Sequence, residues 1–239
     1  MLNELIPKII HITWKTKDIE NCDIEMLRLG FLTMKSLNPD WEVVVSDDED
    51  LDNYLSRSMS AFDYAQIANE HPVVKSDVWR LYKLYNEGGL YIDLDRLWNV
   101  SLSSIITSDA KWVLPTCLDV DFSHDFMCSA PNNPAFATAI EMQSYRRKQG
   151  HKSVYYLGPQ TYMHAVTQTL TGTIIDSNPG PEIFDNLRHI MAEMPFISTY
   201  REFPPQDTIV FRNSIPFDHE SMKKDMYKEF NIKHWTGEW

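Results

Sequence analysis

Three observations predict an α/β fold built on a parallel sheet. Short β-branched apolar runs alternate with helix-patterned segments through the first 95 residues. The best-patterned helix is framed by a proline at its start and a double glycine at its end. Hydrophobic residues make up 43% of 239 positions, enough for one substantial core, so residues 1–239 read as a single domain.

The elements follow in order. KIIHITW, residues 8–14, is a buried strand after Pro7. Residues 22–37 form a helix that places Met26, Leu29, Leu32 or Thr33, and Leu37 on related positions, and Asn38-Pro39-Asp40 stops it. WEVVVSDD, residues 41–48, is a second strand, and residues 49–70 hold one or two short helices. Pro72 opens the strongest helix, whose apolar face runs through Val74, Val78, Leu81, Tyr82 and Tyr85 to Gly88-Gly89. LYID then starts a third strand.

Farther on, KWVLPTC (111–117) and DFMCSA (125–130) suit strands. Asn133-Pro134 begins a helix that runs to about Ser144, and Gly158-Pro159-Gln160 feeds another through Leu170. GTIID is a candidate strand, 181–191 a helix, and 197–203 and 208–211 strand fragments.

The formal net charge of -12 argues against a nucleic-acid backbone or an anionic membrane as the main partner. A small anionic ligand stays compatible, since a metal or a few local cations can reverse the field within a cleft. Cys22, Cys117 and Cys128 lack metal-ligand spacing and read as free thiols of a reducing compartment. MLNELIPKII does not fit a secretion signal, and no apolar run reaches the roughly 20 residues a bilayer requires. The expectation is a cytoplasmic protein with no transmembrane segment.

GGLYIDLDRLW, residues 88–98, carries two aspartates at the end of an apolar strand. Residues two apart on a strand share a face, so Asp93 and Asp95 converge if the backbone stays extended through Leu94. Buried carboxylates need compensating charge, and a hard cation such as Mg²⁺ or Mn²⁺ supplies it. The alternative is a surface turn in which both aspartates cap backbone N–H groups. Asp77 and Arg80, three apart on the preceding helix, share a face. They present either an acceptor and a forked donor to a polar ligand or a plain ion pair.

Three segments carry a resemblance: IPKIIHITW (6–14), NPDWEVVVSDD (38–48) and SDVWRLYKLYNEGGLYIDLD (76–95). SAPNNPAF (129–136), GPQTYMHAV (158–166) and the tail KHWTGEW (233–239) follow in matching order. The chain resembles the DXD-containing glycosyltransferases of the yeast initiating α-1,6-mannosyltransferase and capsular-polysaccharide sugar transferases, and more distantly the glucosylating bacterial toxins.

The resemblance implies a GT-A fold, with a mixed, mostly parallel central sheet flanked by helices. It also implies a UDP- or GDP-sugar donor, a glycan or other hydroxyl acceptor, and transfer with retention. Mn²⁺ (or Mg²⁺) is the implied cofactor, ligated by Asp95 and approached by His234, with Asp93 on the donor's ribose or sugar. Asp77 and Arg80 match the sugar-binding pair, Ile12, Thr13 and Trp14 the nucleotide-binding edge, and Trp235 stands beside His234. For His234, Trp14 and Trp235, simple packing is the competing role. Gly158-Pro159-Gln160 either shapes the sugar or acceptor side or only starts a helix. Arg96 departs from the apolar residue that relatives place after the second aspartate.

Two other functions compete. A metal-dependent hydrolase would need two carboxylates flanking the bond at roughly 5–9 Å in different roles, whereas Asp93 and Asp95 lie close in sequence on one strand face. A non-catalytic sugar-nucleotide or carbohydrate-binding protein would keep the fold without metal-dependent turnover.

Overall fold

The computed structural model describes residues 5–95, 101–116, 122, 124–175, 182–183, 185–186, 196–197, 200–203, 208–212 and 228. Strand β1 (Ile9–Thr13) leads through helix α1 (Glu25–Leu37) to β2 (Glu42–Ser46), and both strands are parallel neighbours. Helices α2 (Asp48–Ser58), α3 (Ala61–Ala65) and α4 (Pro72–Glu87) then carry the chain to β3 (Gly89–Ile92). β3 pairs in parallel with the other side of β1.

After a 3-10 turn (Leu102–Ser104) come β4 (Trp112–Thr116), β5 (Phe126–Ser129), α5 (Pro134–Lys148), α6 (Val154–Leu157) and α7 (Pro159–Thr171). β6 (Phe196–Ile197), β7 (Tyr200–Phe203) and β8 (Thr208–Arg212) follow, and among the described residues the sheet has eight strands in the order β2-β1-β3-β5-β4-β8-β7-β6.

The sheet is mixed. β1–β2, β1–β3 and β4–β8 are parallel, while β3–β5, β4–β5, β6–β7 and β7–β8 are antiparallel, so parallel pairing does not predominate. The strand–helix–strand rhythm of the first 95 residues builds only the parallel part, β2-β1-β3. GTIID is not a strand over its described residues: Gly172 caps α7 in the left-handed region, and 173–175 stay irregular. Residues 182–183 and 185–186 are helical, within the span where a helix was expected.

Strand alternation divides the interior in two. Ile10, Ile12, Leu90, Ile92, Phe126 and Cys128 face one side with Leu27, Phe31 and Met34 of α1. Tyr91, Trp112, Leu114 and Met127 face the other, against α2, α4, α5 and α7. Each large apolar side chain buried here contributes roughly 1.5–3 kcal/mol.

α1 turns a different stripe inward than the periodicity suggested. Its sequence carries two interleaved apolar stripes, and Leu27-Phe31-Met34, which contains the aromatic ring, packs on the sheet. Leu29 and Leu32 are 52% and 40% exposed. α4 follows its predicted face, with Val74, Val78 and Leu81 buried and Tyr82 and Tyr85 partly so. Gly88, at φ 70°, closes it and lets the chain reverse into β3. Among the described residues, no helix is long and apolar enough to cross a membrane.

Candidate functional site

The chain leaves β1 towards β2 on one side and returns at β3 on the other, so a switch point lies at the carboxyl ends of β1 and β3. Open α/β sheets bind ligands in such crevices. Thr13 ends β1 and Asp93 follows β3, bringing together residues 80 positions apart.

α4 lays a polar patch against this end. Ser76, Asp77 and Arg80 lie within about one helical turn and are all buried, although polar side chains normally face water. Burial on this scale requires partners, and Arg80 supplies them. Its Nε donates to the Ser76 carbonyl (3.3 Å) and Nη2 to Ser76 Oγ (3.1 Å). Nη1 donates to the His124 carbonyl (2.8 Å) and to His124 Nδ1 (3.1 Å). Nη2 lies 3.2 Å from Asp77 Oδ1, Nη1 lies 3.4 Å from Asp93 Oδ1, and the guanidinium covers the Tyr91 ring at 4.1 Å. Arg80 is thus the hub between two carboxylates, and its four hydrogen bonds go to protein acceptors.

The hydroxyls form a second layer. Tyr91 donates its phenol proton to Asp93 Oδ1 at 2.6 Å. Thr13 Oγ1 lies 3.1 Å from Ser76 Oγ and 3.4 Å from the Tyr91 oxygen. Thr13, Ser76, Tyr91, Asp93, Arg80, Asp77 and His124 therefore form one connected network.

Charge states follow from burial. Desolvation pushes the Asp77 carboxyl up to about 6; Arg80 opposes the shift, Asp93 reinforces it, and Arg147 opposes it. Burial raises the Tyr91 phenol, so it stays a proton donor. Burial, followed by the charge of Arg80, pulls His124 well below the usual histidine range, leaving a neutral ring.

The D-x-D geometry differs from a continued strand. β3 ends at Ile92; the Asp93 N–H still donates to the Asp125 carbonyl (3.0 Å), but Leu94 and Asp95 form a turn. Leu94 inserts into the core on the α1 side, which bends the chain there. Strand alternation therefore does not set the relation of Asp93 to Asp95; the turn does. Asp95 is half-buried, with Oδ1 withdrawn from solvent.

The Ile12 side chain is fully buried in the core. The Trp14 ring packs partly on the same core, the Trp14 backbone N–H donates to the Ser46 carbonyl (3.0 Å), and Lys15 Nζ lies 5.6 Å from the ring centre. His234, Trp235 and Arg96 lie outside the described residues. Among the described residues, no three His, Cys, Asp or Glu side chains converge as a metal cage. The hard carboxylate oxygens at the β3 end still suit Mg²⁺ or Mn²⁺, which commonly take one or two carboxylates plus substrate phosphate.

Two participants carry weak sequence signals. Ser76 precedes Asp77 and lies one turn before Arg80, so spacing alone could have nominated it. His124 has no such signal: it stands 44 residues beyond Arg80, just before β5, and the antiparallel β3–β5 register brings it in. Gly158, open in the sequence between shaping the sugar or acceptor side and only starting a helix, abuts Asp77. A Cβ there would meet Asp77 Oδ2 at 2.2 Å.

Residues 25–112 match the family described as glycosyltransferase sugar-binding region containing DXD motif. The chain is 31% identical over 145 residues to mannosyl phosphorylinositol ceramide synthase CSH1 of Saccharomyces cerevisiae, covering 61% of this chain and 37% of that protein. It is 34% identical over 137 residues to inositol phosphoceramide mannosyltransferase 2 of Schizosaccharomyces pombe, covering 57% and 38%. These matches thus span little more than a third of the length of those relatives. The PaToxG glycosyltransferase structure shares the fold, with a TM-score of 0.56 and 19% identity, covering 77% of this chain and 74% of that one.

Proposed function

Starting from a DXD-motif glycosyltransferase of GT-A fold, related to fungal inositol phosphoceramide mannosyltransferases, we propose that this chain moves a hexose from a UDP- or GDP-linked donor to a glycan or other hydroxyl acceptor. The observation that carries this reading is the Asp77–Arg80–Asp93 ion-pair chain at the carboxyl ends of β1 and β3, within the matched segment. The names of the relatives make mannose the first sugar to test and an inositol-bearing polyol the first acceptor.

In this reading Asp77 accepts hydrogen bonds from sugar hydroxyls, and Asp93 accepts from the ribose or sugar. Arg80 keeps both carboxylates in register. Thr13 and the main chain of Ile12 and Trp14 line the nucleotide edge. Asp95 and His234 would hold a divalent cation, which would supply Lewis-acid stabilisation of the leaving diphosphate. Transfer breaks the anomeric carbon–oxygen bond to the diphosphate and forms one to the acceptor oxygen. The departing diphosphate takes the acceptor proton, and same-face attack gives retention.

The test is donor turnover with and without Mn²⁺ for wild type and Asp95→Asn. Metal-dependent turnover in wild type that falls at least about 100-fold in the variant is expected. Equal, metal-independent rates in both would remove the proposal. Calorimetric titration of UDP- and GDP-hexoses then identifies the base.

A further inference from the structure

We infer that His124 is a positioning residue for Arg80, its ring nitrogen holding the guanidinium at the spacing that keeps Asp93 in place. The inference uses the sugar-transfer reading for its activity measurement; the geometry behind it does not depend on that reading.

One residue grips Arg80 Nη1 twice, through its carbonyl at 2.8 Å and its ring Nδ1 at 3.1 Å. The same Nη1 faces Asp93 Oδ1 at 3.4 Å, a distance beyond a normal charge-assisted hydrogen bond. A guanidinium between two carboxylates is drawn into a close, two-pronged pair with one of them. Two acceptors on a neutral residue hold Nη1 back from Asp93, while Nη2 stays at Asp77. Asp93 Oδ1 then accepts the Tyr91 phenol at 2.6 Å.

The ring has the required state. A guanidinium only donates, so Nδ1 is the acceptor and the ring proton sits on Nε2. His124 is 7% exposed, its ring lies 5.9 Å from that of Tyr162, and Nε2 has no hydrogen-bond partner among the described residues. The buried ring therefore makes one directional bond, and that bond goes to Arg80. Its backbone is anchored independently, because the neighbouring Asp125 carbonyl receives the Asp93 N–H. Changing the side chain removes the Nδ1 bond and leaves the carbonyl bond intact, so the two grips can be separated.

Asparagine places an amide oxygen near the Nδ1 position, whereas glutamine reaches the Nε2 position and offers no acceptor at Nδ1. His124→Ala, His124→Asn and His124→Gln are compared for donor turnover, melting temperature and the ¹⁵N side-chain NMR signals of Arg80, assigned by their loss in Arg80→Lys. The expected result is a kcat lower by about tenfold or more in the alanine variant, with a smaller change in KM. The asparagine variant should recover to within about threefold of wild type, and glutamine should not. Separate Arg80 Nη signals should persist in wild type and asparagine and average together in alanine and glutamine.

Equal recovery by asparagine and glutamine, or unchanged Arg80 signals in every variant, overturns the role. Should the alanine variant not fold, the asparagine–glutamine pair decides. If wild type turns over no sugar donor, the sugar-transfer reading fails, and the NMR comparison still judges His124.

Discussion

Asp77 and Gly158 meet through the space a side chain would fill: a Cβ on Gly158 would stand 2.2 Å from Asp77 Oδ2 and 2.9 Å from its Cγ. The carboxylate has little room to retreat, being buried on α4 with Oδ1 facing Arg80 at 3.2 Å. Gly158→Ala should cost about 1–3 kcal/mol and displace the carboxylate. Pairing it with Asp77→Ala vacates the space, so a double-mutant cycle by denaturant unfolding should show coupling of about 1 kcal/mol or more. Additive costs would mean that the contact does not constrain Asp77.

The same burial predicts a pH signature for the ligand-free chain. Folding raises the Asp77 pKa from 3.8 to about 6, so the native state binds the extra proton between those values. Its contribution therefore favours the fold at low pH and is lost as pH rises through about 6. Burial lowers His11 from 6.5 to about 4, which acts oppositely: that contribution is present above 6.5 and is lost as pH falls through about 4. Each effect is on the order of 3 kcal/mol, so they partly cancel between pH 4 and 6.5. Asp77→Asn removes one side of the balance. Its melting temperature should climb more steeply with pH over that interval than that of wild type, and parallel curves would contradict the assignment.

Tyr91→Phe isolates a single proton. The ring stays packed edge-on to Trp79 at 6.3 Å and beneath Arg80, while the 2.6 Å bond to Asp93 disappears. Stability should fall by about 0.5–1.5 kcal/mol. Donor turnover should fall by about tenfold or more, because Asp93 loses the donor that orients it. Full turnover with the same stability loss would reduce the phenol to a packing role.

The legible part of the molecule is that whose physics is local. β1, β2, α4 and β3 follow from strand runs and from one helix with a proline start and a glycine end, and they carry Thr13, Asp77, Arg80 and Asp93. Where two local patterns compete, reading by period fails: α1 has two apolar stripes, and only packing on the sheet selects Leu27, Phe31 and Met34. The D-x-D stretch stays open between strand and turn in the sequence, because what decides it is Leu94 being drawn into the core, a tertiary event that breaks the alternation. His124 and the Gly158 contact depend on segments 44 and 81 residues beyond their partners, so no window of sequence contains both halves.

Gly89 joins the fold to the site and yields the last prediction. It opens β3 at φ +95°, and a Cβ there would stand 2.6 Å from the Ile9 carbonyl oxygen and 3.2 Å from His11 Nε2. Alanine at this position meets two penalties, an unfavourable backbone conformation and a backbone atom of β1 that cannot rotate away. Gly150 and Gly172 also have positive φ, yet a Cβ on either has nothing within 4 Å. Their alanine variants should cost only about 1–2 kcal/mol, the conformational term alone. Gly89→Ala should cost at least about 1 kcal/mol more, because β3 must move away from β1. That movement carries Asp93 with it, so turnover of the folded fraction should also drop, whereas Gly150→Ala and Gly172→Ala should leave it unchanged. Chemical denaturation of the three variants, with donor turnover measured at a temperature where all are folded, checks both statements. Equal stability losses at the three positions would show that the β1–β3 contact yields to a methyl group.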